Sequence, residues 1–494
     1  MITSEAVPFA KTGGLADVVT ALSHALKHLD HDARVIMPLY GSIQLEESVT
    51  LPLEIPVSTG ILNTAVQLRL YQHRMNGGSE SSVEFLFVDH PYFSERDGVY
   101  GESSVEPYSD NSRRFLLFSY AVLESLQKLD WTPDILHCHD WTAGMIPLLL
   151  KQERYRGLRK TCRTVMTIHN LGYQGIFSKH DMHFSDLLAE RLSTGTPSQP
   201  SDPGSINFLK TGIMHADLIS TVSETYASEI QQPLFGEGLH TLLQERSSAL
   251  WGITNGVDYQ EWNPEDDSEL PFHFSAENQQ PKARLKRLLQ AEMGLAAEPD
   301  TPVIGIVSRL ADQKGFRELC AGKPSALERM AADLQVQFAI IGTGDREIEK
   351  SLKEQAALYG NIAVRIAFSN YLAPLVEAGS DFFLMPSRYE PCGLNQIYSL
   401  RYGTIPIVRR TGGLADTVTD FSPGFDTGTG IVFDSISGEA VYNAVRRITE
   451  YQNLPASVRE AVRARCMNQR FTWDKAAVRY VEMYDTALEQ EESV

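Results

Sequence analysis

Short apolar, β-branched runs alternate with longer stretches of helical period along this chain, and the alternation is run through twice. In the first half the strand-like runs are Arg34–Met37, Glu84–Val88, Asp134–His137, Thr164–Ile168 and Leu218–Val222. In the second they are Val303–Val307, Phe338–Ile341, Val364–Phe368, Phe382–Met385, Pro406–Val408 and Gly430–Phe433. Segments of helical spacing lie between them, among them Ala16–Leu29, Arg113–Leu129 and Arg346–Leu358. That rhythm predicts parallel sheets wrapped by helices. A chain of 494 residues exceeds one ordinary core, so two α/β domains of about 200–250 residues each are expected. The acidic, Pro-containing stretch Asn263–Asp267 reads as the boundary, giving domains over 1–262 and 268–472. The end, Trp473–Leu488, has apolar positions at helical spacing and is expected to pack back on the first domain. Met1–Ser4 supplies only a shortened first strand, and the polar segments Glu95–Ser112 and Ser193–Ser205 read as loops.

An internal echo sharpens this picture. Lys11-Thr-Gly-Gly-Leu-Ala-Asp17 recurs as Arg410-Thr-Gly-Gly-Leu-Ala-Asp416, once in each half. Both copies follow a strand-like segment and open a helical one. Glycines there let the backbone approach a ligand closely, and a helix start offers unpaired N–H groups and partial positive charge. The preceding cation adds a full one. Two such turns on opposing domains suggest a cleft that closes on an anion; tight turns with glycine for steric reasons are the plainer alternative.

The net charge of −19 argues against a nucleic-acid groove or an anionic membrane surface, though a few fixed cations can still dominate one cleft. No apolar run reaches membrane-spanning length, and no secretory signal is visible. The five cysteines are scattered without a C-x-x-C pair, which fits a reducing cytoplasm and not structural zinc. His24 and His28, four apart on a predicted helix, lack a third ligand and read as an exposed or half-buried pair. Neither a metal nor a cofactor is expected.

Ligands of open α/β sheets gather at the carboxyl ends of strands. Those ends carry His139-Asp140-Trp141, His169-Asn170, Ser308-Arg309 with Lys314-Gly315 shortly after, and Arg388-Tyr-Glu390-Pro-Cys392-Gly393. Singly, each has a plain reading as a satisfied strand-end residue, a surface charge or a helix cap. Together they mark a site.

These strings, with Lys11-Thr-Gly-Gly-Leu, Thr167-Ile-His-Asn170, Asn255-Gly-Val-Asp258, Gln313-Lys-Gly315 and Pro386-Ser-Arg-Tyr-Glu-Pro-Cys-Gly393, resemble bacterial glycogen synthases and plant starch synthases. The match runs from residue 2 to about Trp473. The resemblance implies the GT-B fold, an α/β arrangement of two Rossmann-like doubly wound domains facing across a cleft. It implies glucose transfer from ADP-glucose to the non-reducing end of an α-1,4-glucan such as glycogen, with retention of configuration. By the same resemblance Arg309 and Lys314 would hold the donor diphosphate, with Lys11 and the Gly13 and Gly14 amides closing from the other domain. The backbone at Gly393, Leu394 and Asn395 would take the distal phosphate, beside the second turn, Thr411-Gly412-Gly413. His169 would face the transferred glucose near its 6-hydroxyl, with Asp140 and Asn255 lining the sugar pocket. Glu390 would sit by the reacting sugar, Cys392 would line the donor site, and Phe368 would lie against adenine.

Elementary chemistry agrees with these assignments. Breaking a glucose–phosphate bond builds negative charge on the leaving diphosphate and positive charge at the anomeric carbon, and fixed groups of opposite sign stabilise both. The chain departs from the family string at Asn370–Gly379, where Pro374 and Leu375 replace a common basic pair. Tyr398 stands where a broader group of GT-B transferases carries a second Glu, which favours the synthase branch. A sugar-nucleotide epimerase would need its own acid–base pair. A non-catalytic glucan binder would have eroded the Lys11, Arg309, Lys314 and Glu390 set, and a phosphorylase would need a pyridoxal-phosphate lysine context that is missing. Another retaining GT-B transferase, using UDP-glucose or a different acceptor, is the runner-up.

Overall fold

The computed structural model describes residues 1–45, 49–60, 62–74, 82–102, 106–182, 204–367, 369 and 371–489. Phe368 and residues 193–203 of the expected loop lie outside them. The chain divides into two compact units, Met1–Gly256 with Trp473–Val494, and Val257–Thr472. The crossings therefore fall at Gly256–Val257 and Thr472–Trp473. Asn263–Asp267 lies inside the second unit. Arg401 donates to Asn263 Oδ1 and pairs with Glu265 at 3.1 Å, while the Tyr402 hydroxyl donates to Asp267 at 2.5 Å.

The first unit contains β1 (Arg34–Pro38), β2 (Val49–Ser58), β3 (Asn63–His73), β4 (Val83–Asp89), β5 (Ile135–His139), β6 (Arg163–Ile168), β7 (Ile176–Ser178), β8 (Ser205–Asn207), β9 (Leu218–Thr221) and β10 (Leu250–Gly252). Two runs, β2-β3-β4-β1 and β5-β6-β9-β10, form its main sheet. A single residue joins them. Ile2 bridges Ile36 of β1 and Cys138 of β5, both in parallel, and its N–H donates to His137 O at 2.8 Å. The shortened first strand is thus real and central. β2 and β3 form an antiparallel pair at the edge, which the sequence reading did not anticipate. The half-buried pattern of β3 carries little of the continuous apolar signal that marks buried parallel strands.

The second unit is a single parallel sheet, β13-β12-β11-β14-β15-β16, built from β11 (Val303–Val307), β12 (Gln337–Ile341), β13 (Ile362–Arg365), β14 (Phe382–Met385), β15 (Ile405–Arg409) and β16 (Ile431–Phe433). Its strands are buried on both faces, as all-parallel sheets require, and one core cluster lies to each side.

The last helix, Trp473–Glu489, returns to the first unit. Trp473, Ala476, Ala477, Tyr480, Met483 and Ala487 recur at spacings of three and four and are buried against Val18, Leu22, Ala25 and Leu26 of the opening helix Gly14–His28. Small residues at 476, 477 and 487 admit close packing. His24, on that opening helix, is buried and not exposed. Its Nε2 lies 3.0 Å from His73 Nδ1. Met483 is fully buried, so Met483→Ala leaves a cavity. A loss of about 2–5 kcal/mol, or about 5–15 °C in the Tm of the first unit, is expected in calorimetry.

Candidate functional site

In the second unit, β11 and β14 lie side by side in parallel, with Ile304 opposite Phe382 and Gly305 opposite Phe383. Their carboxyl ends therefore stop together, and the segments that leave them meet. The turn after β11 carries Arg309, which is exposed, and the 3₁₀ segment Asp312–Lys314. The loop after β14 carries Glu390, which is buried. Lys314 Nζ lies 2.6 Å from Glu390 Oε2, and Ser387 Oγ donates to the same oxygen at 3.0 Å. The backbones are also joined, since Arg388 N donates to Gln313 O at 2.8 Å.

Glycines make this approach possible. Gly315 has φ +79, and a Cβ there would stand 2.0 Å from Pro386 O. Gly412, at φ +44, would put a Cβ 1.9 Å from Glu390 O, and Gly413 would put one 2.1 Å from Cys392 O. The second copy of the repeated turn is thus pressed against the Glu390 loop. The Gly413 N–H donates to Glu390 O and Pro391 O, at 3.1 and 3.2 Å, so it braces the loop. Thr411 immediately precedes the short helix Gly412–Thr417 behind it. Arg409, buried, donates to Ser387 O at 2.7 Å and also to Arg388 O. Cys392 is buried, Gly393 adopts φ +70, and Leu394 caps the helix Asn395–Arg401, whose Asn395 side chain donates to Val307 O at 2.8 Å. Tyr398, farther along this helix, stacks on Trp262 with ring centroids 3.7 Å apart. That face-on contact explains an aromatic residue at this position.

The first copy of the turn is built differently. Glu5, three residues beyond Ile2, is buried and gathers it. It accepts from the Thr12 hydroxyl at 2.8 Å, from Thr12 N, and from Gly13 N at 3.2 Å, while the Tyr100 hydroxyl donates to its Oε1 at 2.5 Å. The Gly13 amide is therefore engaged by a carboxylate, contrary to its expected role as an open donor. A Cβ on Gly13 would meet nothing within 4 Å, and its φ of −157 is extended backbone. Nothing within the unit forces a glycine there. Gly14 begins the opening helix, and Lys11 pairs with Asp17 at 2.7 Å on the surface. Glu5 and Tyr100 were not singled out from sequence. Glu5 sits at a strand end and had that signal, whereas Tyr100 lies in an irregular segment and had none.

The remaining candidates of the first unit lie at the ends of β5 and β6. Asp140, at φ 55, accepts from His169 N at 2.8 Å. Burial pushes its carboxyl up to about 7, against the backbone hydrogen bonds from His169 and Asn170, and Glu5 adds to the rise. Burial lowers His169 to about 3, so its ring is neutral at physiological pH. Its Nε2 lies 3.0 Å from Nδ1 of His139, which is fully buried. Asn255 is buried, and its Oδ1 has no hydrogen-bond partner. An orphaned amide oxygen costs about 1–3 kcal/mol unless a ligand satisfies it. Among the described residues no group of three or more His, Cys, Asp or Glu is arranged to hold a metal ion.

Two expectations follow. Asp140 is protonated in both folded and unfolded chains below about pH 4. Between there and about 7 only the unfolded chain ionises, so the site loses stability as pH rises, and the loss is complete above about 7. Asp140→Asn has no such term. Its Tm relative to the parent should rise between pH 5.5 and pH 8, and an equal offset at both would refute the titration. The two turns should also respond oppositely. Gly412→Ala should displace Glu390 and lower kcat by about 100-fold, the cost of a misplacement near 1 Å, whereas Gly13→Ala should leave the Tm unchanged.

Comparison with known proteins places this geometry. Residues 1–245 match the family described as "Starch synthase catalytic domain", and residues 293–465 match "Glycosyl transferases group 1". The glycogen synthase of Treponema denticola is 40% identical over 500 residues, spanning 100% of this chain and 99% of that one. The glycogen synthase of Koribacter versatilis is 43% identical over 486 residues, spanning 98% and 97%. The catalytic domain of starch synthase IV from Arabidopsis thaliana, solved with ADP and acarbose, has TM-score 0.84 at 29% identity, with 99% of each chain covered. A sucrose-phosphate synthase from Thermosynechococcus elongatus shares the fold alone, at TM-score 0.59 and 16% identity. The architecture is GT-B. With relatives this similar along nearly its whole length, the chain belongs to the glycogen and starch synthase family of glycosyltransferases.

Proposed function

We propose that this glycosyltransferase takes glucose from ADP-glucose and adds it to the non-reducing end of an α-1,4-glucan, with retention, in the cytoplasm. One observation carries the reading. A buried carboxylate and an ammonium group, Glu390 and Lys314, are held 2.6 Å apart on loops braced by glycines that admit no side chain. The transition state of glucosyl transfer is itself a separated charge pair, with an anionic diphosphate leaving an electron-poor anomeric carbon. A fixed cation and a fixed anion, already oriented, match it without reorganisation. Lys314 and Arg309 stabilise the leaving diphosphate, joined by the amides at Leu394 and Asn395. Glu390 stabilises the positive anomeric carbon. In a front-face transfer the leaving phosphate oxygen takes the acceptor's proton, so no protein base is assigned. His169, Asp140 and Asn255 hold the sugar, and the orphaned Asn255 Oδ1 supports a hydroxyl ligand there.

The ADP-bound starch synthase IV and the glycogen synthases at about 40% identity support the choice of donor and polymer. The five free cysteines fit a reducing compartment. Among the described residues no helix is long and apolar enough to cross a membrane.

Labelled ADP-glucose and UDP-glucose, compared with glycogen as primer and maltose as acceptor, test the reading. Transfer from ADP-glucose onto glycogen with the α-1,4 linkage is expected. Glu390→Gln should lower kcat by about 100–1000-fold, in line with loss of one preorganised group. Near-normal turnover would remove Glu390 from the chemistry.

A further inference from the structure

Behind His169 lies a column of buried polar side chains on one face of the first unit's sheet. His137 and His139 are two apart on β5, as are Thr167 and His169 at the end of β6, so each pair shares a face. Both nitrogens of His137 are engaged, Nδ1 with the Tyr484 hydroxyl of the returning helix at 2.8 Å and Nε2 with Thr167 Oγ1 at 2.5 Å. Its ring is thereby fixed and backs His139, with centroids 4.1 Å apart. His139 then reaches His169 from Nδ1, at 3.0 Å, and Met1 Sδ from Nε2, at 3.4 Å.

The last contact decides where the protons are. A thioether sulfur accepts and cannot donate, and a neutral imidazole carries one N–H. The proton of His139 therefore sits on Nε2, pointing at the sulfur, and its Nδ1 is bare. A bare Nδ1 must accept from His169, so His169 is protonated on Nε2 and bare on Nδ1. We infer that His139 is a positioning residue that fixes the His169 ring with a lone pair at Nδ1, so that the site takes donor sugars whose C6 group can donate a hydrogen bond. The inference deepens the proposed function, in which His169 holds the sugar, and rests on the position beside the 6-hydroxyl that the family resemblance implies for His169. Burial holds both rings neutral: His139 titrates well below the usual histidine range, and His169 at about 3. Asp140, next to His139 in the chain, fixes the other end of the same residue through the His169 amide. Glucose, with a primary alcohol at C6, satisfies the lone pair. A 6-carboxylate sugar presents lone pairs and negative charge to it and is rejected.

Two analogues separate the possible proton arrangements. 6-Deoxy-ADP-glucose neither donates nor accepts at C6, and 6-deoxy-6-fluoro-ADP-glucose accepts at most weakly and cannot donate. Both should fall on the order of 100-fold in kcat/KM relative to ADP-glucose, because the Nδ1 lone pair loses its hydrogen-bond donor in each. A fluoro analogue turned over about ten or more times faster than the deoxy one, a gain of about 1.4 kcal/mol, would mean that His169 donates, and would overturn the inference. In His139→Phe the discrimination between ADP-glucose and the deoxy donor should shrink to about 10-fold or less, and His139→Gln, which keeps an acceptor for the Nε2 proton, should restore it. Nitrogen NMR of histidine-labelled protein gives a readout free of activity. His169 should show a protonated Nε2 and a bare Nδ1 in the parent, and a tautomer mixture in His139→Phe. A proton on Nδ1 in the parent, or an unchanged spectrum in the variant, would refute it. If His139→Phe does not fold, the parent spectrum and the two analogues still decide. Absence of any transfer from ADP-glucose would instead sink the functional reading, leaving the tautomer to the spectrum.

Discussion

The parallel register of β11 and β14 is the constraint on which the second unit's chemistry depends. Because Ile304 pairs with Phe382, the two strands end at one level, and Lys314 meets Glu390 there. A slip of one residue would turn every side chain of the strand to the opposite face. That register is held by a core on each side of the sheet. Opposite charges taken partly out of water are costly unless each is satisfied. Here Ser387 supplies a further hydrogen bond, and Gly315, Gly412 and Gly413 let the neighbouring backbones close around the pair.

The first unit solves a different problem. It has to hold neutral, directional groups rather than a charge pair, and it does so with a buried ladder. Ile2 stitches the two halves of the sheet and delivers Glu5 to the first turn, while β5 and β6 deliver His139, Asp140 and His169 side by side. The two copies of the repeated turn are identical at six of seven positions and differ in use. In the second copy the glycines are demanded by neighbouring carbonyls; in the first the space beside Gly13 is open and its N–H is already engaged by a carboxylate.

Much of this was legible in the chain. β11, β14 and the helix Arg346–Leu358 begin and end at the residues read from apolar runs and helical spacing. Asp140, His169, Lys314 and Glu390 are singled out from sequence because a parallel sheet gathers ligand-facing polar groups beyond its strand ends. What escaped has physical causes. β2 is the edge strand, and β3, between β2 and β4, is half-buried along its length, so its signal departs from a continuous apolar run. The engagement of the Gly13 and Gly413 amides depends on partners distant in sequence or on loop geometry, which no local pattern encodes. His24 reads as a possible ligand by its spacing from His28, but a strand forty-nine residues away supplies its partner, His73.

The returning helix has a consequence for how the chain matures. Residues Val257–Thr472 are contiguous and carry all of the second unit, whereas the first unit needs segments on both sides of it. During synthesis the earlier half emerges first, yet the groove between Val18, Leu22 and Val165 stays uncovered until the helix carrying Trp473 to Ala487 leaves the ribosome. The later half can complete its core before the earlier one, inverting the usual order of vectorial folding. Tyr484 arrives with that helix, so the histidine ladder is assembled only after the second unit has been synthesised.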